Sequence, residues 1–333
     1  MLRYAHVDLV PPSRCRCPVS TPAAAPFPTR PSLDDWVRGA RLRTLPLSAV
    51  SVILGTGVAV AADPDGGLAG YAARDDHAVV ALLCLVVALS LQIGVNFTND
   101  YSDGIRGTDA FRVGPSRLTG SGRVAPRAVL AVGLAFYALA VVAGIAVVLI
   151  TQLWWMVIVG ALAIVAAWYY TGGRRPYGYR ALGEISVFVF FGLVAVLGTQ
   201  LAQVGHTTID GWACAVALGL FACGALMVNN IRDFLTDRAA GKRTLAVRVG
   251  LPAARVLYAV FMTAPYVALV VPVLHEPTAL AAALSLAVAL PAVRIGRTST
   301  QPLALIKALQ LTSFSSLAFG LILAVALALS TAR

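Results

Sequence analysis

Two short clusters of aspartate and asparagine hold the side chains of this sequence that are best suited to bind a metal ion. The members of the two clusters are Asn96, Asn99, Asp100 and Asp103, and then Asn229, Asn230, Asp233 and Asp237. Neither cluster contains the histidine or cysteine typical of zinc sites, whereas carboxylate and amide oxygens suit hard cations. Mg²⁺ usually takes one or two carboxylates together with substrate phosphates. The clusters therefore predict a Mg²⁺ site that holds a diphosphate.

The spacing within each cluster places these side chains along one side of a helix. The first four fall at i, i+3, i+4 and i+7, and Asn229, Asp233 and Asp237 repeat every four residues. Residues three and four apart stack on the same helix face. We therefore expect the four aspartates to face one polar end of the protein as its metal-binding and catalytic groups. The alternative is that they only cap neighbouring segments.

Basic residues follow each cluster and could bind the phosphate groups. Arg recognises phosphate oxygens in pairs, and Lys acts as a point charge. The candidates that lie among glycines and close to the carboxylates are Arg112, Arg117, Lys242 and Arg243. Membrane orientation and anionic lipid head groups are the alternative explanation for basic residues near helix starts.

An isoprenyl diphosphate, which is both lipid-soluble and a diphosphate, fits this layout. Metal and basic residues would stabilise the departing diphosphate, and the allylic cation would need a pocket that excludes water. Aromatic side chains could shield that cation by cation–π contacts, and the candidates are Trp168, Tyr169, Tyr170, Tyr177 and Tyr179. An aromatic belt at the membrane interface is the alternative.

Membrane-spanning helices must position these groups. Hydrophobic residues make up 59% of the 333 residues and charged residues only 12%, unlike a soluble globular domain. A span needs about 20 apolar residues. Candidate segments are 44–62, 78–98, 185–209, 212–228 and 308–332, with two spans each in 128–173, divided near Thr151 and Gln152, and in 256–293, divided at residues 275–277. The sequence predicts an all-α, multi-pass membrane bundle of about nine transmembrane helices.

The distribution of basic residues predicts the orientation of this bundle. With nine spans, one side holds 24 of the 26 Lys and Arg residues, and only Arg74 and Arg333 lie on the other. The positive-inside rule then places the amino terminus and both clusters in the cytoplasm, with the chain in the plasma membrane. This sidedness accounts for the net charge of +11 and argues for the lipid bilayer, and against nucleic acid, as partner.

The chain divides into a leader and one membrane domain. Residues 1–33 are rich in proline and lack a hydrophobic period, which predicts a disordered leader. Residues 34–333 form the membrane-embedded domain, which opens with an interfacial helix predicted from Asp34 to Arg43. No soluble domain of any size is expected.

Four groups of residues together resemble a known family. They are Asn99-Asp100-Tyr-Ser-Asp103-Gly-Ile-Arg-Gly-Thr-Asp109 with Arg112-Val-Gly-Pro115, Gly173-Arg-Arg-Pro176-Tyr177-Gly-Tyr179 with Gly183-Glu184, Asn229-Asn230-Ile-Arg232-Asp233 with Ala240-Gly-Lys242-Arg243-Thr-Leu-Ala246, and Arg43-Thr-Leu-Pro46. In this order and spacing they resemble the UbiA superfamily of intramembrane aromatic prenyltransferases, and within it the dihydroxynaphthoate branch. The resemblance covers roughly residues 35–330.

The resemblance implies a bundle around a central cavity open to lipid. It implies Mg²⁺-dependent transfer of a long chain from polyprenyl diphosphate to 1,4-dihydroxy-2-naphthoate, with loss of the carboxyl group, giving demethylmenaquinol. Asp100, Asp103, Asp233 and Asp237 would hold Mg²⁺ and diphosphate. The implied substrate-binding residues are Arg43, Asn96, Asn99, Arg112, Arg117, Tyr177, Tyr179, Asn229, Asn230, Lys242 and Arg243. Many relatives outside this branch carry a further aspartate where this chain has Gly107, so a metal role for Asp109 stays open.

Other functions also stay open on the sequence. A prenyltransferase for 4-hydroxybenzoate or homogentisate would share both clusters, and only the resemblance of the loops favours naphthoate. A cation or phosphate transporter would place its charges near the bilayer midplane, whereas these clusters lie at helix ends. Glu184, near the start of the fifth span, is a further functional candidate, with capping of that helix as its alternative.

Overall fold

The computed structural model describes residues 31–63, 67–107 and 117–330, and the regular secondary structure in these ranges is helical. The helices are α1 (Leu33–Ala40), α2 (Leu45–Ala61), α3 (Gly67–Ala72), α4 (Asp75–Ile105), α5 (Pro126–Thr151), α6 (Met156–Thr171), α7 (Gly183–Val204), α8 (Ile209–Arg232), α9 (Phe234–Ala239), α10 (Leu245–Val249), α11 (Leu251–His275), α12 (Pro277–Thr298) and α13 (Pro302–Ala328). The predicted all-α architecture is confirmed. Residues 1–30 of the predicted leader lie outside the described ranges.

Seven of these helices are long and apolar enough to cross a membrane, namely α4, α5, α7, α8, α11, α12 and α13. Helices α1 and α2 qualify together but are bent by 55° relative to each other. The apolar helix α6 has 16 residues, or about 24 Å, which is shorter than a hydrocarbon core of about 30 Å. The described ranges therefore form a multi-pass membrane protein with seven or eight candidate spans, and the predicted count of nine is not confirmed.

Both predicted breaks in the long apolar segments are confirmed. Helix α5 ends at Thr151, and Gln152 adopts a left-handed conformation (φ 57°) while its N–H donates to the Val148 carbonyl at 2.8 Å. Helix α11 ends at His275, and Pro277 begins α12. Proline favours this position because its missing N–H has no helical partner there and its φ is already helical.

The interfacial helix is shorter than expected. A capping box starts α1, because Ser32 accepts the Asp35 N–H and Asp35 accepts the Ser32 N–H. The helix ends at Ala40, and Arg41 takes a left-handed conformation with φ 56°. The predicted continuation to Arg43 is therefore wrong, since this left-handed residue redirects the chain before α2 begins.

The core lies where α2, α8, α11 and α13 pack together. Its buried side chains include Leu54, Phe221 and Phe319. The rings of Phe221, Tyr266 and Phe319 meet edge to face with centroids 5.4–6.0 Å apart, a geometry that aromatic pairs prefer. Small residues bring α7 and α8 together, since a Cβ on Gly192 would lie 2.5 Å from the Ala215 carbonyl oxygen. Such close contacts stabilise helix pairs in a membrane, where van der Waals packing replaces the hydrophobic effect.

A cavity of about 850 Å³ lies beside this core, between α2, α4, α5, α6, α7 and α8. We call one end the mouth; it is lined by Asp103, Asp233 and Asp237. We call the other the deep end; Cys84, which lies about five turns before Asp103 on α4, and Met156, at the start of α6, line it. Between the two ends the walls are mostly apolar side chains of the membrane helices. The expected central cavity is present.

Candidate active site

Helix α4 carries the first cluster to the mouth without a break. Because α4 continues to Ile105, Asn96, Asn99 and Asp103 lie in its last three turns, and all three line the cavity. The Asn96 amide nitrogen donates to the Ala40 carbonyl oxygen at 2.9 Å. The Asn99 side-chain carbonyl accepts a hydrogen bond from the Thr171 hydroxyl. These bonds fix both amides in the cavity wall.

Asp103 contacts at least three polar side chains at the mouth. Its carboxylate accepts hydrogen bonds from the Arg117 guanidinium at 2.7 Å and from the Tyr179 hydroxyl. The Lys242 ammonium lies 3.4 Å from the same carboxylate. Asp103 is only 2% exposed, so these two cations offset the cost of burying its charge. Positive groups from two separate loops therefore meet at one carboxylate.

Tyr179 joins the loops around the mouth. Besides its hydroxyl bond to Asp103, its carbonyl oxygen accepts the Arg243 N–H at 2.9 Å. The Lys242 ammonium lies 4.7 Å from the centre of its ring, and the Arg106 guanidinium lies 5.9 Å from it. Both distances are typical of cation–π contacts. Tyr179, which lies in the loop after α6, thus connects to α4 through its hydroxyl and to the loop after α9 through its ring and its backbone carbonyl.

The second cluster reaches the same cavity from α8. That helix ends at Arg232, and Asp233 caps it, while the Asp237 N–H donates to the Asp233 carbonyl oxygen at 2.8 Å. Arg232 donates to both oxygens of the Asp233 carboxylate, at 2.8 and 2.6 Å. Asn229, Asn230, Asp233 and Asp237 all line the cavity. The structure therefore brings this cluster and most of the first one together.

Asp100 differs from the other three aspartates. Its two carboxylate oxygens accept the backbone N–H groups of Leu118 at 2.8 Å and Thr119 at 2.9 Å. It is 2% exposed and does not belong to the cavity lining. The structure thus does not bring Asp100 to the mouth, and its role as a metal ligand stays a prediction.

Replacing Asp100 by alanine is expected to destabilise the protein. The change leaves two N–H groups of the loop without acceptors, and each unsatisfied buried group costs about 1–3 kcal/mol. We expect a lower free energy of unfolding, measured by denaturant titration in detergent. Asp34→Ala is the control, because Asp34 forms an exposed pair with Arg38 and such pairs contribute little. Equal stability of the two variants would contradict this role for Asp100.

The predicted basic residues separate into two groups. Arg117 and Lys242 line the cavity, whereas Arg43 and Arg243 are exposed and lie outside its lining. The backbone of Lys242 is held in place, because its backbone N–H donates to the backbone carbonyl oxygen of Asp237 at 2.8 Å. Arg112, together with Asp109, lies outside the described residues.

Arg41 also lines the cavity, although it was not among the predicted site residues. It is the left-handed residue that ends α1, two positions before the predicted Arg43. Nothing in local sequence spacing distinguishes these two arginines. The change of chain direction after Ala40 decides which of the two reaches the cavity, and local sequence does not predict this change.

Tyr170, Tyr177 and Tyr179 form an aromatic part of the wall near the mouth. The Tyr177 hydroxyl donates to the Ala166 carbonyl oxygen at 2.9 Å and lies 2.9 Å from the Ser186 hydroxyl. Its ring meets that of Tyr170 edge to face at 5.5 Å. Burial raises the pKa of Tyr177, so its phenol stays protonated at neutral pH. Two of these tyrosines, Tyr177 and Tyr179, were predicted to bind substrate.

The donor atoms at the mouth fit Mg²⁺. Asp103, Asp233 and Asp237 supply carboxylate oxygens, and Asn96 and Asn229 add amide groups beside them. Within the described ranges, no three His, Cys, Asp or Glu side chains lie close enough together to hold a metal ion by themselves, so phosphate oxygens of the substrate would have to complete the coordination. Hard oxygen donors with room for phosphate oxygens are what Mg²⁺ uses beside a phosphorylated substrate.

Several known proteins are similar to this chain. Residues 50–317 match the model of the UbiA prenyltransferase family. A 1,4-dihydroxy-2-naphthoate octaprenyltransferase of Mycobacterium tuberculosis is 45% identical over 89% of this chain and 98% of its own length. The enzyme of the same name from Mycobacterium leprae is 45% identical over 72% of this chain and 78% of its own length.

A solved structure shares the fold. It is a UbiA homolog from Archaeoglobus fulgidus bound to GPP and Mg²⁺, with a TM-score of 0.58 and 17% sequence identity. The match covers 87% of this chain and 99% of that one. The family model and the relatives together lead to one conclusion: this chain belongs to the UbiA prenyltransferase family.

Proposed function

We propose that this chain is a Mg²⁺-dependent prenyltransferase that uses polyprenyl diphosphate and 1,4-dihydroxy-2-naphthoate and makes demethylmenaquinol. The observation that carries the proposal is that Asp103, Asp233, Asp237, Arg117 and Lys242 all line one cavity whose remaining walls are mostly apolar. The names of the relatives support the naphthoate acceptor.

The residues at the mouth have separate tasks in this proposal. The three aspartates, with Asn96, Asn99 and Asn229 beside them, hold the metal and the diphosphate. Arg117 and Lys242 donate charge-assisted hydrogen bonds to phosphate oxygens. When bound, Mg²⁺ neutralises the charge that develops on the leaving group. Together these groups stabilise the transition state in which the diphosphate departs.

The apolar part of the cavity receives the prenyl chain. Side chains such as Val148, Ile164 and Phe190 line it and keep water away from the allylic cation. The bond between the first prenyl carbon and the diphosphate oxygen breaks, and its electron pair leaves with the diphosphate. A ring carbon of the acceptor then forms the new carbon–carbon bond, and the carboxyl group leaves that carbon as CO₂.

The proposal includes an orientation in the plasma membrane. The mouth faces the cytoplasm, because most Lys and Arg residues lie in segments that are expected on the same side of the membrane as the mouth. Diphosphate would then be released into the cytoplasm.

A competition between acceptors tests the proposed reaction. Purified protein in detergent receives one polyprenyl diphosphate with equal concentrations of dihydroxynaphthoate, 4-hydroxybenzoate and homogentisate, and products are identified by mass spectrometry. We expect prenylated, decarboxylated naphthoate as the main product. A preference for another acceptor would reassign the substrate, and ion or phosphate uptake into proteoliposomes without any prenylation would indicate a transporter.

Replacing Gly160 by phenylalanine is expected to shorten the prenyl chain that the protein accepts. Gly160 lies one turn from the deep end and lines the cavity, and a Cβ there would meet no atom within 4 Å. Because the space beside Gly160 is open, a phenyl ring can enter it without displacing protein atoms and would fill the volume that distal isoprene units need. We expect kcat/KM for octaprenyl diphosphate to fall about tenfold or more relative to geranyl diphosphate.

The control for this prediction lies on the same helix. Ile158 is 65% exposed and does not line the cavity, so Ile158→Phe should leave the chain-length preference unchanged. An equal loss with both diphosphates in Gly160→Phe would show that the deep end does not hold the chain.

A further inference from the structure

Glu184 is a buried carboxylate that the proposed metal site does not use. It is the second residue of α7 and is 5% exposed. The other glutamate of the chain, Glu276, lies at the start of α12. Glu184 accepts a hydrogen bond at 3.1 Å from the amide nitrogen of Asn230. Burying a carboxylate costs free energy unless it is hydrogen-bonded, and here the donors are its own backbone N–H and the Asn230 amide. Asn230 is the partner that connects this carboxylate to the cavity lining.

Glu184 reaches the cavity through Asn230. Gly183 and Ser186, on either side of it in α7, line the cavity, and so does Asn230 on α8, whereas Glu184 itself does not. Its backbone is also tied to α8, because the Cys223 thiol donates to the Glu184 carbonyl oxygen at 3.2 Å. The carboxylate therefore lies outside the cavity lining and contacts the side-chain amide nitrogen of Asn230, a residue that lines the cavity.

The wall around Asn230 suits a hydroxylated aromatic ring. The Tyr170 hydroxyl lies 3.1 Å from where a Cβ on Gly183 would be, so a side chain larger than glycine would crowd it. Tyr170 and Tyr177 present rings at right angles, and Ser186 adds a hydroxyl beside them. Aromatic faces with a few polar groups are typical of sites for aromatic ligands. Diphosphate would instead bind beside Arg117 and Lys242.

We propose that Glu184 is a positioning residue for the aromatic acceptor. A carboxylate accepts hydrogen bonds, so it fixes the NH₂ end of the Asn230 amide toward itself. The carbonyl end of Asn230 then faces the cavity and accepts a hydrogen bond from a hydroxyl group of the acceptor. Without Glu184 the amide can turn over and present its NH₂ group instead. This inference rests on the proposed function, because it assumes a hydroxylated aromatic substrate.

Steady-state kinetics of four variants test the inference. Glu184→Ala should raise KM for dihydroxynaphthoate about 5–10-fold, the loss expected for one hydrogen bond, with KM for polyprenyl diphosphate unchanged within about twofold. Glu184→Gln should stay near wild type, because its carbonyl oxygen still accepts the Asn230 N–H. The double variant Glu184→Ala, Asn230→Ala should be no worse than Asn230→Ala alone, since the two residues act as one unit.

Cys223→Ala is the matched control. It removes the contact to the Glu184 backbone and leaves the carboxylate and Asn230 in place, so both KM values should remain at wild-type levels.

Four results would overturn the inference. An unchanged acceptor KM in an active Glu184→Ala protein removes this role alone. Equal changes in both KM values with a lower melting temperature would indicate a structural role only, and additive effects in the double variant would separate the two residues. If the wild-type protein prenylates no aromatic acceptor, the proposed function and this inference fail together.

Discussion

Replacing Asp233 by asparagine is expected to lower kcat for prenyl transfer by about 10²–10³-fold, the loss typical of removing one group that stabilises transition-state charge. Asp233 lines the mouth, and Arg232 donates to both of its oxygens. Asparagine fills the same volume but carries no charge and offers a single oxygen. The metal and diphosphate would then lose a ligand, while the helix cap at this position keeps its shape. Initial rates at saturating Mg²⁺ and both substrates measure the change.

Asp210→Asn is the matched control for this substitution. Asp210 lies in the first turn of α8, at the other end of the helix, and accepts a hydrogen bond from His275 at 2.8 Å. Its loss should alter kcat by less than about twofold, as for most surface changes. A folded Asp233→Asn protein that keeps wild-type activity would remove Asp233 from the metal site.

Replacing Lys242 by methionine is expected to raise KM for polyprenyl diphosphate about 10–100-fold. Methionine has a similar length but no charge, and hydrogen bonds to charged groups contribute about 1.5–3 kcal/mol. Lys242 is buried in the wall 3.4 Å from Asp103, so its ammonium is screened little by salt. Initial rates at fixed acceptor concentration and varied diphosphate concentration measure this effect.

Arg248→Met is the control for a general loss of positive charge. Arg248 lies on α10, is exposed and does not line the cavity. If Lys242 binds diphosphate directly, the Arg248 variant should change KM by less than about twofold. Equal effects of both substitutions would instead indicate a long-range field or an effect on lipid contact.

The sequence predicted the architecture well because the membrane imposes it. Each span must satisfy its backbone hydrogen bonds within the membrane, so a long uncharged segment can form few structures other than a helix there. The turn after Thr151 and the break before Pro277 were found because a single segment could not exceed the bilayer thickness. The shared location of Asp103 and Asp233 was predicted from the distribution of basic residues, which puts both helix ends on one side of the membrane.

The parts that the sequence did not predict depend on contacts between distant segments. Helical spacing gave Asp100 and Asp103 similar positions, yet only the folded loop at Leu118 shows that Asp100 binds backbone groups instead. Arg41 lines the cavity in place of the predicted Arg43 because the left-handed conformation of Arg41 redirects the chain. The length of α6 likewise follows from where the chain turns, which hydrophobicity alone does not specify.

The central claim is that both acidic clusters form one Mg²⁺–diphosphate site for prenyl transfer. The most direct measurement uses the wild-type protein in detergent, stripped with EDTA and supplied with octaprenyl diphosphate and dihydroxynaphthoate. Diphosphate release and prenylated product are then followed with and without added Mg²⁺. We predict equal amounts of diphosphate and prenylated product, formed only when Mg²⁺ is present. Absence of Mg²⁺-dependent diphosphate release with dihydroxynaphthoate, 4-hydroxybenzoate and homogentisate alike would contradict the claim.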